Sequence, residues 1–231
     1  MSSRLIVFDL DGTIVDTIDS LLYSAWLTLQ EYEFNIPGKY ENWLPAFPRY
    51  IAGQGGMAIL QFLIEVSSKR LNSSYNIKEM YNSFLKHYSN NITFKAFIFP
   101  FLRDVLSDLF TSGWTLAVNT NKKQDNAVSL LQEIGLMKYF TIIVGASDND
   151  INKPAPDGVN YIMKYTGSTP SDTVFIGDSE IDLLTARNAN VRCVLVDFGY
   201  EKHDIRKLAP DAHISSYSML QKALTDLYQT N

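Results

Sequence analysis

Short apolar runs and helically spaced apolar positions succeed one another along most of the chain. Residues 4–8 (RLIVF) form an apolar run rich in β-branched and aromatic residues, which predicts a buried strand. Beyond residue 13 the apolar positions recur at helical spacing, which predicts a helix over about 16–32. The chain therefore passes from a buried strand through a tight loop into a helix.

The stretch from about residue 14 to residue 97 lacks any pattern typical of a strand. Helical patterns occupy about 16–32, 56–70 and 77–90, and turn-forming residues separate them at 35–38, 53–56 and 72–74. We therefore predict that residues 16–97 form a helical subdomain.

From Pro100 onwards, predicted helices and strands alternate. The helices are expected at 101–112, 123–134, 157–166, 180–189 and 216–228, and the strands at 114–119, 140–144, 173–176 and 192–196. Such alternation indicates a parallel sheet covered by helices on both faces. The run at residues 4–8 has the hydrophobicity of a strand of that sheet. The predicted fold class is α/β: a Rossmann-like sheet domain of residues 1–15 and 98–231, with residues 16–97 inserted.

The composition of the chain argues against several classes of protein. The chain has 231 residues, of which 46% are hydrophobic and 19% charged, so it has enough apolar material for a core. A formal net charge of -5 argues against a nucleic-acid partner, which usually requires a basic face. No apolar run approaches the ~20 residues that a membrane-spanning helix needs. Without a signal-peptide pattern, and with Cys193 as its one cysteine, the chain is expected to be cytoplasmic, as a monomer or homodimer.

Four polar segments lie at or shortly beyond the carboxyl ends of predicted strands, where open α/β sheets bind ligands. They are Asp9-x-Asp11-Gly12-Thr13, Asn119-Thr120-Asn121-Lys122, Lys153-Pro154-Ala155-Pro156-Asp157 and Gly177-Asp178-Ser179-Glu180-Ile181-Asp182. Because these strand ends share one edge of the sheet, we expect the segments to converge on a single site.

The first two segments suit phosphate chemistry. One of the paired carboxylates of Asp9 and Asp11 can attack phosphorus while the other transfers a proton. The alternative for this segment is a β-hairpin turn, since Asp-Gly favours one. The Thr120 hydroxyl and nearby backbone N–H groups can hold phosphate oxygens, although a threonine there is also a common helix N-cap.

The other two segments add charge of both signs. The prolines around Lys153 stiffen its loop, so its ammonium group can offset negative charge on Asp9 and on a phosphate, whereas an isolated loop lysine is usually solvated. Asp178 and Asp182 begin a predicted helix, where acids either cap the helix or bind a metal. Oxygen ligands shared with a phosphate favour Mg²⁺.

Taken in order, the segments resemble the haloacid dehalogenase superfamily, and in particular its phosphoglycolate phosphatase-like branch. The similar stretches are FDLDGTIVDT at 8–17, VNTNK at 118–122, KPAPD at 153–157 and GDSEIDLLTARNA at 177–189. The family usually has glycine after the proline at the position of Phe101, and commonly at that of Asn190. The inserted helices would correspond to the mobile cap that chooses the substrate in this family.

The resemblance also implies a role for each site residue. Asp9 would be the nucleophile, Asp11 the general acid and then base, and Lys153 the neutralising cation. Thr120 and Asn121 would bind the phosphoryl group. The Mg²⁺ ion would be held by the Asp9 carboxylate, the Asp11 backbone carbonyl and Asp178, with support from Asp182.

The implied activity is hydrolysis of a small anionic phosphate ester through an aspartyl phosphate, with phosphoglycolate as the leading substrate. Asp11 argues against a dehalogenase, and Leu21 stands where related sugar phosphomutases have histidine. Pyrophosphate, nucleotides and sugar phosphates stay open as substrates. Outside the class of hydrolases, the alternative is a phospho-accepting signalling module, although such domains are about half this length.

Overall fold

The computed structural model describes residues 4–35, 38–67, 75–146, 152–201 and 203–229. Its strands are β1 Leu5–Phe8, β2 Val15–Asp16, β3 Phe97–Ile98, β4 Thr115–Lys123, β5 Ile142–Ala146, β6 Thr173–Gly177, β7 Arg192–Val196 and β8 Ala212–Ile214. Its α-helices are α1 Ile18–Glu31, α2 Gly56–Val66, α3 Ile77–Asn90, α4 Leu102–Thr111, α5 Gln124–Glu133, α6 Asp157–Thr166, α7 Glu180–Asn188 and α8 Leu220–Gln229. The turn predicted at 72–74, residues 36–37 of the turn predicted at 35–38, and residues 68–70 of the helix predicted over 56–70 lie outside the described residues.

Six strands form one sheet in the order β5-β4-β1-β6-β7-β8. Every neighbouring pair in it is parallel, which confirms the predicted α/β class. Leu5 of β1 pairs with Thr115 of β4 on one side and with Thr173 of β6 on the other. The first strand of the chain is therefore central in the sheet, and its carboxyl end meets those of two strands that come much later in the sequence.

The side chains of β1 explain why this strand is central. All four of its residues are fully buried, as expected of a parallel strand covered on both faces. Leu5 and Val7 share a buried cluster with apolar residues of β6, α6 and α7. Burying each such side chain stabilises the fold by about 1.5–3 kcal/mol. The helical periodicity after each strand thus supplies the apolar faces that cover the sheet.

The chain divides into two compact units, one of residues 1–16 and 98–231 and the other of residues 17–97. Inside the second unit, α1 buries Leu21, Leu22, Ala25 and Leu29, the positions whose spacing predicts it. The glycine-containing turn predicted at 53–56 is partly helical: a 3₁₀ helix spans Arg49–Gln54, and α2 begins at Gly56. Gly55 separates them with a φ of 95°, a conformation that glycine adopts without steric cost.

Several boundaries differ from the sequence expectations. Strand β4 continues to Lys123 instead of ending at residue 119, because its polar end pairs irregularly with β5. Strands β2, β3 and β8 were not predicted, and β2 and the start of β3 fall within the stretch expected to lack strands; each is too short to show a period. The last helix starts at Leu220 because a separate 3₁₀ turn precedes it.

Two positions where relatives usually have glycine do take left-handed backbone conformations. Phe101 has a φ of 66° and Asn190 a φ of 57°. Asparagine tolerates this region far better than phenylalanine does, so the substitution at 101 is the more strained of the two. Within the described ranges, no helix combines the length and the apolar character that crossing a bilayer requires.

Candidate active site

Asp9 follows β1 directly and begins the site. Its backbone N–H donates a 2.8 Å hydrogen bond to the carbonyl of Ile176, so the pairing of β1 with β6 continues one residue beyond the strand. The side chain of Asp9 is nearly buried, with 8% of its surface exposed. A carboxylate at this depth needs partners, because burying an unpaired charge is costly.

Lys153 is the first of these partners. Its Nζ lies 2.5 Å from Asp9 Oδ1 and 2.6 Å from Asp182 Oδ1, and only 5% of the lysine side chain is exposed. Burial alone would lower the pKa of Lys153, but the carboxylates of Asp182 and Asp9 raise it above its usual value. The ammonium group therefore stays charged and joins the acid that follows β1 to an acid in the first turn of α7.

Asn121 fixes the backbone that carries Lys153. Its side-chain Nδ2 donates to the Lys153 carbonyl at 3.1 Å, and the Lys153 N–H donates to Asn121 Oδ1 at 2.8 Å. This reciprocal pair ties the end of β4 to the loop before α6. The Asn121 amide thus makes contacts within the protein, and the phosphoryl contact expected of this residue would fall to its backbone N–H.

The carboxylate of Asp178 is held from two sides. The Tyr200 N–H donates to Oδ2 at 2.6 Å, and the Thr13 hydroxyl donates to Oδ1 at 3.2 Å. The Tyr200 hydroxyl in turn donates to Asp16 Oδ1 at 3.0 Å. Asp178 is therefore fixed in orientation by residues that follow β7 and β1.

Asp182 fulfils the first of the two roles that its position at the start of α7 suggests, that of a helix cap. Its Oδ2 accepts hydrogen bonds from the N–H groups of Asp178 and Ser179, both at 3.1 Å, and from the Ser179 hydroxyl at 2.7 Å. This arrangement caps the helix, while Oδ1 faces Lys153. Oδ2 of Asp182 therefore serves the helix, and Oδ1 is the oxygen that faces the other charged groups of the site.

The acids of the site match the donor set of a hard divalent cation. Asp9, Asp178 and Asp182 each offer a carboxylate oxygen, and these oxygens lie within 4.8 Å of one another. Burial raises the pKa of Asp9 to about 7, although the nearby Lys153 ammonium lowers it. The pKa of Asp178 is also raised, mainly by burial and further by the negative charges of Asp182 and Asp9. A cation bound among these oxygens would favour their charged forms again, so the residues present fit a metal.

Thr120 lies at the same edge of the sheet. It is buried, two residues beyond Val118, which pairs with Phe8 of β1. Its Oγ1 accepts a 3.2 Å hydrogen bond from the Lys122 N–H. The alternative that Thr120 caps a helix is wrong, because the N-cap position of α5 belongs to Lys123.

Asp11 faces a second lysine. The Nζ of Lys122 lies 2.8 Å from Oδ1 and 2.7 Å from Oδ2 of Asp11, and 5% of the lysine side chain is exposed against 17% of the aspartate. Gly12 follows Asp11 with a φ of 86°, which lets the backbone turn directly after the acid. The site therefore contains two buried ammonium groups, one for each acid of the first motif.

Sequence patterns assigned no role to three residues of the site: Lys122, Thr13 and Tyr200. Lys122 and Thr13 lie in stretches that carry the family resemblance, within two residues of Asn121 and Asp11, whereas Tyr200 lies beyond those stretches. A pattern of residue types indicates which segments converge, but not which neighbouring side chain turns inward. For Lys122 the available signal was its position two residues after Thr120 at the sheet edge.

Gly199 allows a close approach to Asp178 and yields a testable prediction. An added Cβ at this position would overlap the Asp178 side chain. We expect Gly199→Ala to displace the carboxylate and to weaken Mg²⁺ binding about 10–100-fold, the usual range for residues that orient a ligand. Titration calorimetry with Mg²⁺ measures this change.

Gly167→Ala provides the control for that experiment. Gly167 ends α6 with a φ of 68°, and an added Cβ there would meet no atom within 4 Å. This variant should lose stability through backbone strain but bind Mg²⁺ like the parent. Parent-like Mg²⁺ affinity in Gly199→Ala would contradict the role given to the contact with Asp178.

Comparison with known proteins identifies the family of the chain. The family model for haloacid dehalogenase-like hydrolases matches residues 6–196, so the chain belongs to that family. Phosphoglycolate phosphatase of Mesorhizobium japonicum is 30% identical over 98% of this chain and 96% of its own length. Its counterpart in Caulobacter vibrioides is 32% identical over 98% of this chain and 93% of its own. The protein is accordingly an enzyme similar to phosphoric monoester hydrolases.

Solved structures show the same fold. A predicted phosphoglycolate phosphatase from Haemophilus somnus superposes with a TM-score of 0.83 at 24% identity, over 96% of this chain and 98% of its own. CbbY from Rhodobacter sphaeroides, solved in complex with phosphate, gives a TM-score of 0.76 at 20% identity, over 95% and 96% of the two chains. At these identities the likeness concerns the fold alone.

Proposed function

We propose that this protein is a Mg²⁺-dependent phosphatase that hydrolyses phosphoglycolate through a transiently phosphorylated Asp9. The observation that carries the proposal is the setting of Asp9. Its carboxylate lies at the end of the central strand, 2.5 Å from the Lys153 ammonium, and within 4.8 Å of carboxylate oxygens of Asp178 and Asp182. A nucleophile, a cation for the phosphoryl charge and a metal-binding set thus share one location.

The balance of charge supports the requirement for a metal. In their ionised forms, which a bound cation would favour, Asp9, Asp11, Asp178 and Asp182 bring four negative charges, and Lys122 and Lys153 bring two positive ones. Two negative charges are left over, which one divalent cation neutralises. A phosphate dianion would be repelled from the site without that cation.

The residues that would hold the ion are the Asp9 carboxylate, the Asp11 backbone carbonyl and Asp178, with Asp182 behind them. Mg²⁺ bound there supplies Lewis-acid stabilisation of negative charge on the phosphoryl oxygens. Thr13 and the Tyr200 N–H fix the orientation of the Asp178 carboxylate, so this side chain would need no reorientation to bind the ion.

The protein residues account for both chemical steps. An Asp9 oxygen attacks phosphorus, the bond from phosphorus to the ester oxygen breaks, and Asp11 gives its proton to the departing oxygen. Asp11 then takes a proton from water. That water oxygen bonds to phosphorus as the bond to Asp9 breaks, which releases phosphate and restores Asp9 as a carboxylate and Asp11 as the protonated acid. Thr120 and Lys153 hold the phosphoryl oxygens throughout.

The choice of substrate rests on the relatives. Those from Mesorhizobium japonicum and Caulobacter vibrioides are named phosphoglycolate phosphatases, and each matches nearly the whole chain.

A phosphate-ester panel tests the proposal. The purified protein should hydrolyse phosphoglycolate with many turnovers in Mg²⁺, with a higher kcat/KM than for pyrophosphate, a nucleoside monophosphate or a sugar phosphate. Chelation should lower the rate about 100-fold or more, because the metal contributes several kcal/mol to the transition state. Added Mg²⁺ should restore the rate.

Each failure of this experiment has a distinct meaning. Preference for another ester would overturn the choice of substrate, but the proposed phosphatase activity would still stand. Full activity after exhaustive chelation would overturn the requirement for a metal. Phosphorylation that stops at one phosphate per chain would favour the signalling module.

A further inference from the structure

Lys122 is buried at a position where the proposed reaction needs a fixed acid. Its Nζ lies 2.8 and 2.7 Å from the two oxygens of Asp11, so one ammonium group contacts the whole carboxylate. Charge-assisted hydrogen bonds of this length are about twice as strong as neutral ones. The pair therefore restricts rotation of the Asp11 side chain.

The backbone around Lys122 is also held in place. Its N–H donates to Thr120 Oγ1, and the pairing of β4 with β5 shifts register between Asn119 and Lys123. Gly145 of β5 approaches so closely that an added Cβ would lie 2.8 Å from the Lys122 carbonyl oxygen. These contacts fix the point from which the lysine side chain reaches Asp11.

Stability alone is a weak reason for this arrangement. Removing an ammonium and a carboxylate from water costs several kcal/mol per ion, and pairs of this kind often stabilise a fold no better than apolar side chains would. Precise placement matters more for a group that transfers protons, since a misplacement of about 1 Å can lower a rate 100-fold.

We infer that Lys122 is a positioning residue that holds the Asp11 carboxyl group where it exchanges protons with the leaving-group oxygen and then with water. This inference rests on the proposed function, in which Asp11 is the group that transfers those protons. Lys122 differs in this from Lys153, which contacts Asp9 and Asp182 and neutralises charge at the nucleophile.

A double-mutant cycle with Asp11→Asn tests this inference. We expect Lys122→Met to lower kcat for phosphoglycolate about 10–100-fold, with KM changed less than about threefold, because the lysine acts on orientation and not on substrate binding. In the Asp11→Asn background the same change should lower the single-turnover rate by less than about threefold, because the group it positions is already disabled.

The leaving group gives a second readout. p-Nitrophenolate departs with little need of a proton, and kcat/KM reports the steps up to the first irreversible one. We therefore expect Lys122→Met to reduce kcat/KM much less for p-nitrophenyl phosphate than for phosphoglycolate. Lys122→Arg, which can also contact both carboxylate oxygens, should retain most of the activity on both substrates.

The controls separate a structural loss from the proposed role. Lys164→Met removes an exposed lysine of α6 and should behave like the parent. Melting curves show which variants are folded. If Lys122→Met does not fold, the test uses Lys122→Arg and the double variant Asp11→Asn/Lys122→Met. The double variant contains no unpaired Asp11 carboxylate.

Three outcomes would overturn the inference: an equal loss in both backgrounds, an equal loss on both substrates, or an effect confined to KM. Failure of the proposed function itself looks different. Asp11→Asn alone would then turn over phosphoglycolate at the parent rate, whatever stands at position 122.

Discussion

Replacement of Asp9 by asparagine is expected to abolish turnover and leave the fold intact. The two side chains are nearly the same size, so the buried site at the end of β1 still accommodates the variant. A carboxamide is a far poorer nucleophile than a carboxylate, and loss of a nucleophile typically lowers kcat by 10⁴–10⁶-fold, so we expect a fall of about 10⁴-fold or more. Initial rates on phosphoglycolate in Mg²⁺ measure the effect.

Acid-quenched reactions with radiolabelled substrate test the covalent step directly. The parent should retain label on the chain, and Asp9→Asn should retain none. Asp226→Asn is the matched control, because Asp226 makes an exposed ion pair on α8 and takes no part in the site. Parent-like turnover by Asp9→Asn, or equal labelling of the two proteins, would show that the nucleophile is another residue.

Replacement of Lys153 by methionine should lower both activity and stability. Its ammonium group is the cation shared by Asp9 and Asp182, and only 5% of the side chain is exposed to solvent. Removing one partner of a buried ion pair costs about 3–5 kcal/mol. Loss of one group that stabilises transition-state charge lowers kcat about 10²–10³-fold.

Urea denaturation with and without Mg²⁺ measures the stability effect. The variant should be less stable than the parent in the absence of metal, and Mg²⁺ should recover part of the difference by neutralising the same carboxylates. Lys164→Met, which removes an exposed lysine, should change little. A Lys153→Met protein as stable as that control would argue against the charge balance described for the site.

The sequence predicted the sheet domain well because its signals are local and strong. Residues 5–8 are apolar without interruption, which is the pattern of a strand buried on both faces, and the structure pairs them on both sides. The predicted ranges of α3, α6 and β7 match the observed elements. In each case the periodic pattern and its flanking turn residues agree.

The end of β4 was harder to predict. Thr120 and Asn121 are residues found in turns, and the strand was expected to stop at Asn119, just before them. It continues because Lys123 pairs with Ala146 across a register shift, a contact with a segment more than 20 residues away. Local propensity contains no information about such a contact.

The site was predictable at the level of segments and less so at the level of contacts. Acids and a lysine after parallel strands were expected to meet, and Lys153 does contact both Asp9 and Asp182. The sequence does not show that the Asn121 amide binds the Lys153 backbone, or that Lys122 faces Asp11. Those contacts depend on side-chain direction, which is set by tertiary packing.

The central place of β1 also has a consequence during synthesis. Asp9 is made 144 residues before Lys153, and the strands on either side of β1 follow it by more than a hundred residues. A nascent chain that has left the ribosome only as far as β4 has Asp9 but lacks both Lys153 and Asp178. Such a fragment cannot assemble the proposed catalytic centre, which is complete only after translation has passed β6.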